Sequence, residues 1–209
     1  MPIVQRTNLN QNTVLAVWKI TETRDELLAQ LSKRITDTGT NRHDNIHWLA
    51  SRVLLQELCP DQKIRLSKDE FNKPHLDING SPFFVSITHS YAYAAVMISS
   101  EHTVAVDLEK IDERVNRVSR KFIRIDEQPA AGTELTLYYT IIWSAKETLY
   151  KYYSKKELDF LEHLRIEPFA VKAEPFRIEG AISKEPYSLR LLIDVTLMDG
   201  YVLTRSAVR

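Results

Sequence analysis

Apolar and polar positions alternate in "TVLAVWKI" (Thr13–Ile20), which predicts a strand. Thr23 and Glu26 then stand at capping-box spacing in "TRDELLAQLS", so a helix begins there. In "NIHWLASRVLLQEL" the apolar residues Ile46, Leu49, Val53 and Leu54 recur at helical intervals, and Pro60 ends the run. The Pro, Asn and Gly of "FNKPHLDINGSP" (Phe71–Pro82) predict a loop. "FFVSITHS" and "YAAVMISS" read as strands, as does "TVAVDLEK" (Thr103–Lys110). "RVSRKFIRIDEQPAAGT" reads as a short helix followed by a loop around Pro129–Gly132. The longest helix is expected in "ELTLYYTIIWSAKETLYKYY", with Leu135, Tyr138, Ile142, Ala145 and Leu149 on one face. Three strands follow, "FRIEGAI", "YSLRLLIDVTLM" and "YVLTRSAV", with Asp199-Gly200 as a tight hairpin between the last two.

Each half of the chain thus holds a long helix and about three strands. The expected architecture is α+β: two related halves, residues 1–100 and 101–209, each a small antiparallel sheet packed with a helix. A ligand site is expected in the cleft between such halves.

Composition narrows the function. The 209 residues carry 28 Lys+Arg and 28 Asp+Glu, and this balance argues against a general nucleic-acid or membrane-surface binder. No apolar run approaches the ~20 residues of a membrane helix. The N-terminus lacks a secretory pattern, and a single cysteine, Cys59, excludes an intrachain disulfide. A cytoplasmic location is the simplest expectation. No P-loop, zinc ligand set or serine-hydrolase elbow is present.

Candidate chemistry begins at the end of "TVAVDLEK". Alternation puts Val104, Val106 and Leu108 on one face and Asp107 and Glu109 on the other. The two carboxylates are then roughly 6.5 Å apart. They are either solvated at a wet strand end or held against a cation, and Mg²⁺, which takes oxygen ligands, suits them. In "WSAKETLYK", Glu147 and Lys151 are four apart, with Thr140 and Ser144 on the same polar side. This is either a surface pair stabilising the helix or, beside the Asp107 strand, a third oxygen ligand next to a lysine. A cation beside a lysine calls for a bridging anion, and phosphate is the natural one. His89, flanked by Thr88 and Ser90, forms a donor cluster at a strand end, as an anion site needs. Arg52, inside an apolar helix, and Lys73-Pro74, in the loop, are weaker signals.

In order, Arg52 within "HWLASRVLL", "NKPHL", "VSITHS", "VAVDLEK", "RKF", "WSAKETLYK" and "LDFLEHLRIEPF" resemble the 4′-phosphopantetheinyl transferase superfamily, in its larger Sfp-type branch of two pseudo-repeated halves. The resemblance runs from about Arg42 to Phe169. It implies transfer of the phosphopantetheine arm of coenzyme A to a serine of an apo acyl or peptidyl carrier protein, with release of 3′,5′-ADP. It implies Mg²⁺ held by Asp107, Glu109 and Glu147, with Glu147 as ligand, base or both, and Lys151 neutralising the reacting phosphate. It implies Arg52, Lys73 and His89 on the 3′-phosphate, Thr88 donating a hydrogen bond and Pro74 shaping the loop at the adenine. Arg42 and His43 are further sources of charge, and Lys146 belongs to the motif with a structural role open to it. The implied protein is a monomer. The class of carrier, whether fatty-acid, polyketide or nonribosomal-peptide, stays open. So does a non-catalytic module that binds coenzyme A or a carrier protein.

Overall fold

The computed structural model describes residues 3–38, 45–173 and 175–207. The chain divides into two compact units, the first ending at Val106 and the second running from Asp107 to Ala207.

The first unit contains β1 (Ile3–Asn10), β2 (Thr13–Lys19), α1 (Arg24–Gln30), β3 (Ile35–Asp37), α2 (Ile46–Leu58), β4 (Ile64–Lys68), β5 (Pro74–Ile78), β6 (Ser81–Ser90) and β7 (Tyr93–Ser99). Thr23 and Glu26 cap α1 reciprocally, as their spacing predicts. Asn45 caps α2 by accepting from the backbone N–H groups of His47 and Trp48. The inward stripe of α2, with Leu49, Ala50, Val53 and Leu54, packs on Ala16 and Trp18 of β2 and on Ala94, Val96 and Ile98 of β7.

The seven strands lie in the order β1-β2-β7-β6-β5-β4-β3. This is larger than the three-stranded sheet expected, and it is not wholly antiparallel. β3 and β4 pair in parallel because α2 carries the chain across between them. The stretch Phe71–Pro82 is also not a loop throughout. Pro74 opens β5, where a missing N–H is tolerated, and Asn79-Gly80, both at positive φ, turn the chain into β6 with Ile78 opposite Ser81.

Cys59, at the end of α2, is buried, and burial pushes its thiol up to about 11 against the opposing charge of Arg6. The folded protein is therefore expected to resist alkylation by iodoacetamide at pH 8. Mass spectrometry should show one adduct only after denaturation, and stoichiometric labelling of the native protein would contradict this.

The second unit contains β8 (Val106–Lys110, its first residue shared with the preceding unit), α3 (Arg114–Val118), two 3-10 turns (Ser119–Lys121 and Ile125–Glu127), α4 (Leu135–Tyr153), β9 (Leu164–Ile166), β10 (Phe176–Lys184), β11 (Tyr187–Met198) and β12 (Tyr201–Ser206). The sheet order is β8-β12-β11-β10-β9. The Asp199-Gly200 hairpin forms as expected, with Met198 opposite Tyr201. α4 buries Tyr138, Ile141, Ile142, Ala145 and Leu149 against the sheet, whereas Leu135, in its first turn, is 47% exposed. Gly180 of β10 lies under α4. A Cβ there would meet Leu149 Cδ1 and Ile193 Cδ1 at 3.0 Å, so any larger residue would press on both side chains where the helix seats.

The architecture is α+β, with two sheets each packed by a long helix. Among the described residues, no helix is long and apolar enough to cross a membrane.

Candidate active site

β8 does not leave Asp107 in water, although its last residue, Lys110, is exposed. Asp107 is only 3% exposed, between Val106 and Leu108 at 0% and 1%, so the reading of a solvated acid pair fails at this residue. The Asp107 carboxylate accepts from Ser144 Oγ at Oδ2 (2.8 Å) and from Lys151 Nζ at Oδ1 (2.7 Å). Glu109, two residues on, accepts from Trp143 Nε1 at 2.9 Å. Both β8 acids therefore lean on α4, whose residues 143, 144, 147 and 151 fall on successive turns of one face.

Glu147 sits on that stripe, half-buried. Its carboxyl is pushed up to about 7: burial strips its water, the charges of Asp107 and Glu109 oppose its ionisation, and Lys151 offsets part of this. The structure thus brings Asp107, Glu109, Glu147 and Lys151 together. Three carboxyl groups and one ammonium share this face, with Asp107 buried and the other three partly exposed.

Does this set suit a divalent cation? Among the described residues, no three acidic, histidine or cysteine side chains are already gathered as a metal cage. The Lys151 ammonium instead occupies Asp107 Oδ1, a positive charge where an ion would bind. Hard carboxylate oxygens fit Mg²⁺ chemically, and ligation through Oδ1 would require Lys151 to turn toward another anion.

Lys146, the residue before Glu147, has a different task. It is fully buried, and its ammonium donates to Phe122 O (2.7 Å), Glu127 Oε2 (2.7 Å) and Phe160 O (2.9 Å). Glu127 in turn accepts from the backbone N–H groups of Arg124 and Ile166. Burial pushes the Lys146 ammonium pKa down, and the hydrogen bond and charge of Glu127 oppose that shift. This ion pair ties the segment after α3 and the end of β9 to the middle of α4.

The remaining sequence candidates lie in the first unit. Arg52 is buried on α2, with Nε and Nη2 on Asp37 Oδ2 (2.9 and 2.7 Å), Nη1 on Ser51 Oγ (2.9 Å) and its guanidinium over the Trp48 ring. Thr88 is buried and His89 exposed near the end of β6, and the His89 ring stacks on His47 at 4.6 Å. Lys73 and Pro74 stand where the turn after β4 enters β5, and the Lys73 N–H donates to Asp69. Arg42 and His43 lie outside the described residues.

Sequence reasoning missed Thr204 of β12, whose hydroxyl lies 2.8 Å from Ser144 Oγ and 2.7 Å from Thr148 Oγ1. It also missed Asp37 as the partner of Arg52. The one available signal for Thr204 was a hydroxyl at an inward position of an apolar strand.

Comparison with known proteins falls on the same segment. Residues 103–204 match the model of the 4′-phosphopantetheinyl transferase superfamily. Asp107, Glu109, Glu147 and Lys151 all lie within that superfamily match, as do Lys146, Glu127 and Thr204; Arg52, Lys73, Pro74, Thr88 and His89 lie outside it. The chain is also similar to the 4′-phosphopantetheinyl transferase gsp of Aneurinibacillus migulanus, at 27% identity over 109 residues. That alignment takes in 49% of this chain and 44% of the relative, so the matched stretch spans less than half of the relative's length.

Proposed function

We propose that this protein transfers the 4′-phosphopantetheine arm of coenzyme A to a serine of an apo acyl or peptidyl carrier protein and releases 3′,5′-ADP. It would act as a Mg²⁺-dependent holo-carrier-protein synthase of the two-half, Sfp-type branch. The observation that carries this reading is the convergence of Asp107, Glu109, Glu147 and Lys151 inside the segment matching the superfamily.

Asp107, Glu109 and Glu147 would hold the ion. When bound, Mg²⁺ supplies charge neutralisation at the pyrophosphate of coenzyme A. Lys151, released from Asp107, pairs with the reacting phosphate and offsets the charge gathering on the leaving 3′,5′-ADP. The serine oxygen forms a bond to the phosphorus bearing the pantetheine arm, the bond from that phosphorus to the oxygen of 3′,5′-ADP breaks, and the serine proton passes to Glu147 or to a water in the site. Without a cation the Glu147 carboxyl is held up to about 7, within the range of a base near neutral pH, and ligation to Mg²⁺ would lower it. At the other end of coenzyme A, Arg52, Lys73 and His89 would hold the 3′-phosphate, Thr88 would donate a hydrogen bond and Pro74 would shape the adenine loop. Arg52, pinned by Asp37, would present a guanidinium of fixed orientation.

The carrier would dock on the segment after β8. Residues 114–124 carry five cations, Arg114, Arg117, Arg120, Lys121 and Arg124, and no acid. Just beyond, Ile125 is 95% exposed, and Val118 is 43% exposed. Arg114 and Arg124 pair with Asp112 and Asp126 at the two ends of this segment, and Arg117, Arg120 and Lys121 with the projecting apolar groups would suit an acidic partner with an apolar groove. Ile125→Asp is expected to raise KM for the carrier about tenfold with kcat and the melting temperature little changed. Unchanged KM would remove Ile125 from the docking surface.

The test of the function is the intact mass of apo-carrier protein after incubation with the protein, coenzyme A and Mg²⁺. Gain of one phosphopantetheine arm supports transfer. Tight coenzyme A binding without added mass would replace transfer by a binding module.

A further inference from the structure

Three hydroxyl side chains stand in line behind Asp107. Ser144, Thr148 and Thr204 are all fully buried, at 0% exposure. Ser144 Oγ is 2.8 Å from Asp107 Oδ2, Thr204 Oγ1 is 2.8 Å from Ser144 Oγ, and Thr148 Oγ1 is 2.7 Å from Thr204 Oγ1. A hydroxyl has one proton to give, and an ionised carboxylate only accepts. Ser144 must therefore spend its proton on Asp107, so Thr204 donates to Ser144. Thr148 then donates to Thr204, whose backbone carbonyl lies farther off at 3.4 Å. The direction of every hydroxyl follows from the charge at one end.

We propose that this chain, Thr148 to Thr204 to Ser144, is a positioning device for Asp107. It holds Oδ2 on Ser144 and so restrains the carboxylate whose Oδ1 is on Lys151 and which would serve a cation. The inference rests on the proposed function for the identity of that cation. Donors aligned head to tail polarise one another, and a carboxylate with one oxygen so held loses the freedom to rotate or to bind through both oxygens. The chain joins α4 to β12, the neighbour of β8, so the orientation of Asp107 is set by the sheet as well as by the helix.

The experiment measures Mg²⁺ binding by calorimetry, and the Mg²⁺ dependence of transfer, for wild type, Thr204→Val, Thr204→Ser and Thr148→Val. Melting temperatures are recorded without metal. Thr204→Val keeps the volume and removes the donor to Ser144. It is expected to weaken Mg²⁺ about tenfold, Thr148→Val less, and Thr204→Ser is expected to restore near-wild-type affinity. Loss of melting temperature at unchanged Mg²⁺ affinity would overturn the device and leave a packing role. Should Thr204→Val fail to fold, Thr148→Val decides by the same criterion, because it acts only through Thr204. Graded Mg²⁺ affinities without any transfer by wild type would defeat the transfer reading and leave the device standing. Transfer with unaltered Mg²⁺ dependence in the variants would defeat the device alone, and a wild type that binds no Mg²⁺ would overturn both.

Discussion

Replacing Lys146 by methionine is expected to lower folding stability by about 3–5 kcal/mol, the usual cost of leaving half of a buried ion pair. The fully buried ammonium serves Glu127 Oε2 and the carbonyls of Phe122 and Phe160 at 2.7, 2.7 and 2.9 Å, and methionine serves none of them. Glu127 would keep the N–H groups of Arg124 and Ile166 but lose its counter-charge at 1% exposure. The pair itself need not be strongly stabilising, because two charges had to be desolvated to make it. Lys146→Met combined with Glu127→Leu should therefore regain part of the loss. Urea unfolding of the single and double variants measures both. A single variant within about 1 kcal/mol of wild type would show that the pair is not a structural clamp.

Glu147→Gln is expected to separate stability from activity. The carboxyl stands at about 7 in the folded protein against an ordinary 4.5, so folding favours its protonated form. The penalty for ionising it is absent below 4.5, grows as the pH rises toward 7 and is complete above that. A glutamine of the same shape carries no such penalty. Without metal at pH 8 the variant should be more stable than wild type by on the order of 2 kcal/mol, and the gap should close at pH 4. Arm transfer should fall by about a hundredfold or more. Thermal melts in a chelator across this pH range give the answer. A variant less stable than wild type at pH 8 would mean that attraction to Lys151 outweighs the crowding by Asp107 and Glu109.

The long helix and the Asp-x-Glu strand were legible because each has a period, and the spacing of Glu147 and Lys151 put them on one helical face. The burial of Asp107 was not legible. Alternation along a strand assigns faces but does not say that α4 closes over the polar one. Thr204 was hidden for a related reason, since in "YVLTRS" it reads as an ordinary strand threonine until the sheet order sets β12 beside β8. The pairing of Arg52 with Asp37 was not legible because Asp37 sits on β3, a three-residue strand too short to show a pattern. Asn79-Gly80 reads in the sequence only as part of a loop, because Pro74 masks the strand leading into the turn.

One measurement tests whether β8 and α4 form a single reaction centre: the initial rate at which apo-carrier protein gains mass with Asp107→Asn, against wild type, at saturating Mg²⁺ and coenzyme A. Asparagine keeps the shape and can still accept from Ser144, but it carries no charge for a cation. The rate should fall by about a hundredfold or more while the variant melts cooperatively; a near-wild-type rate would contradict the account.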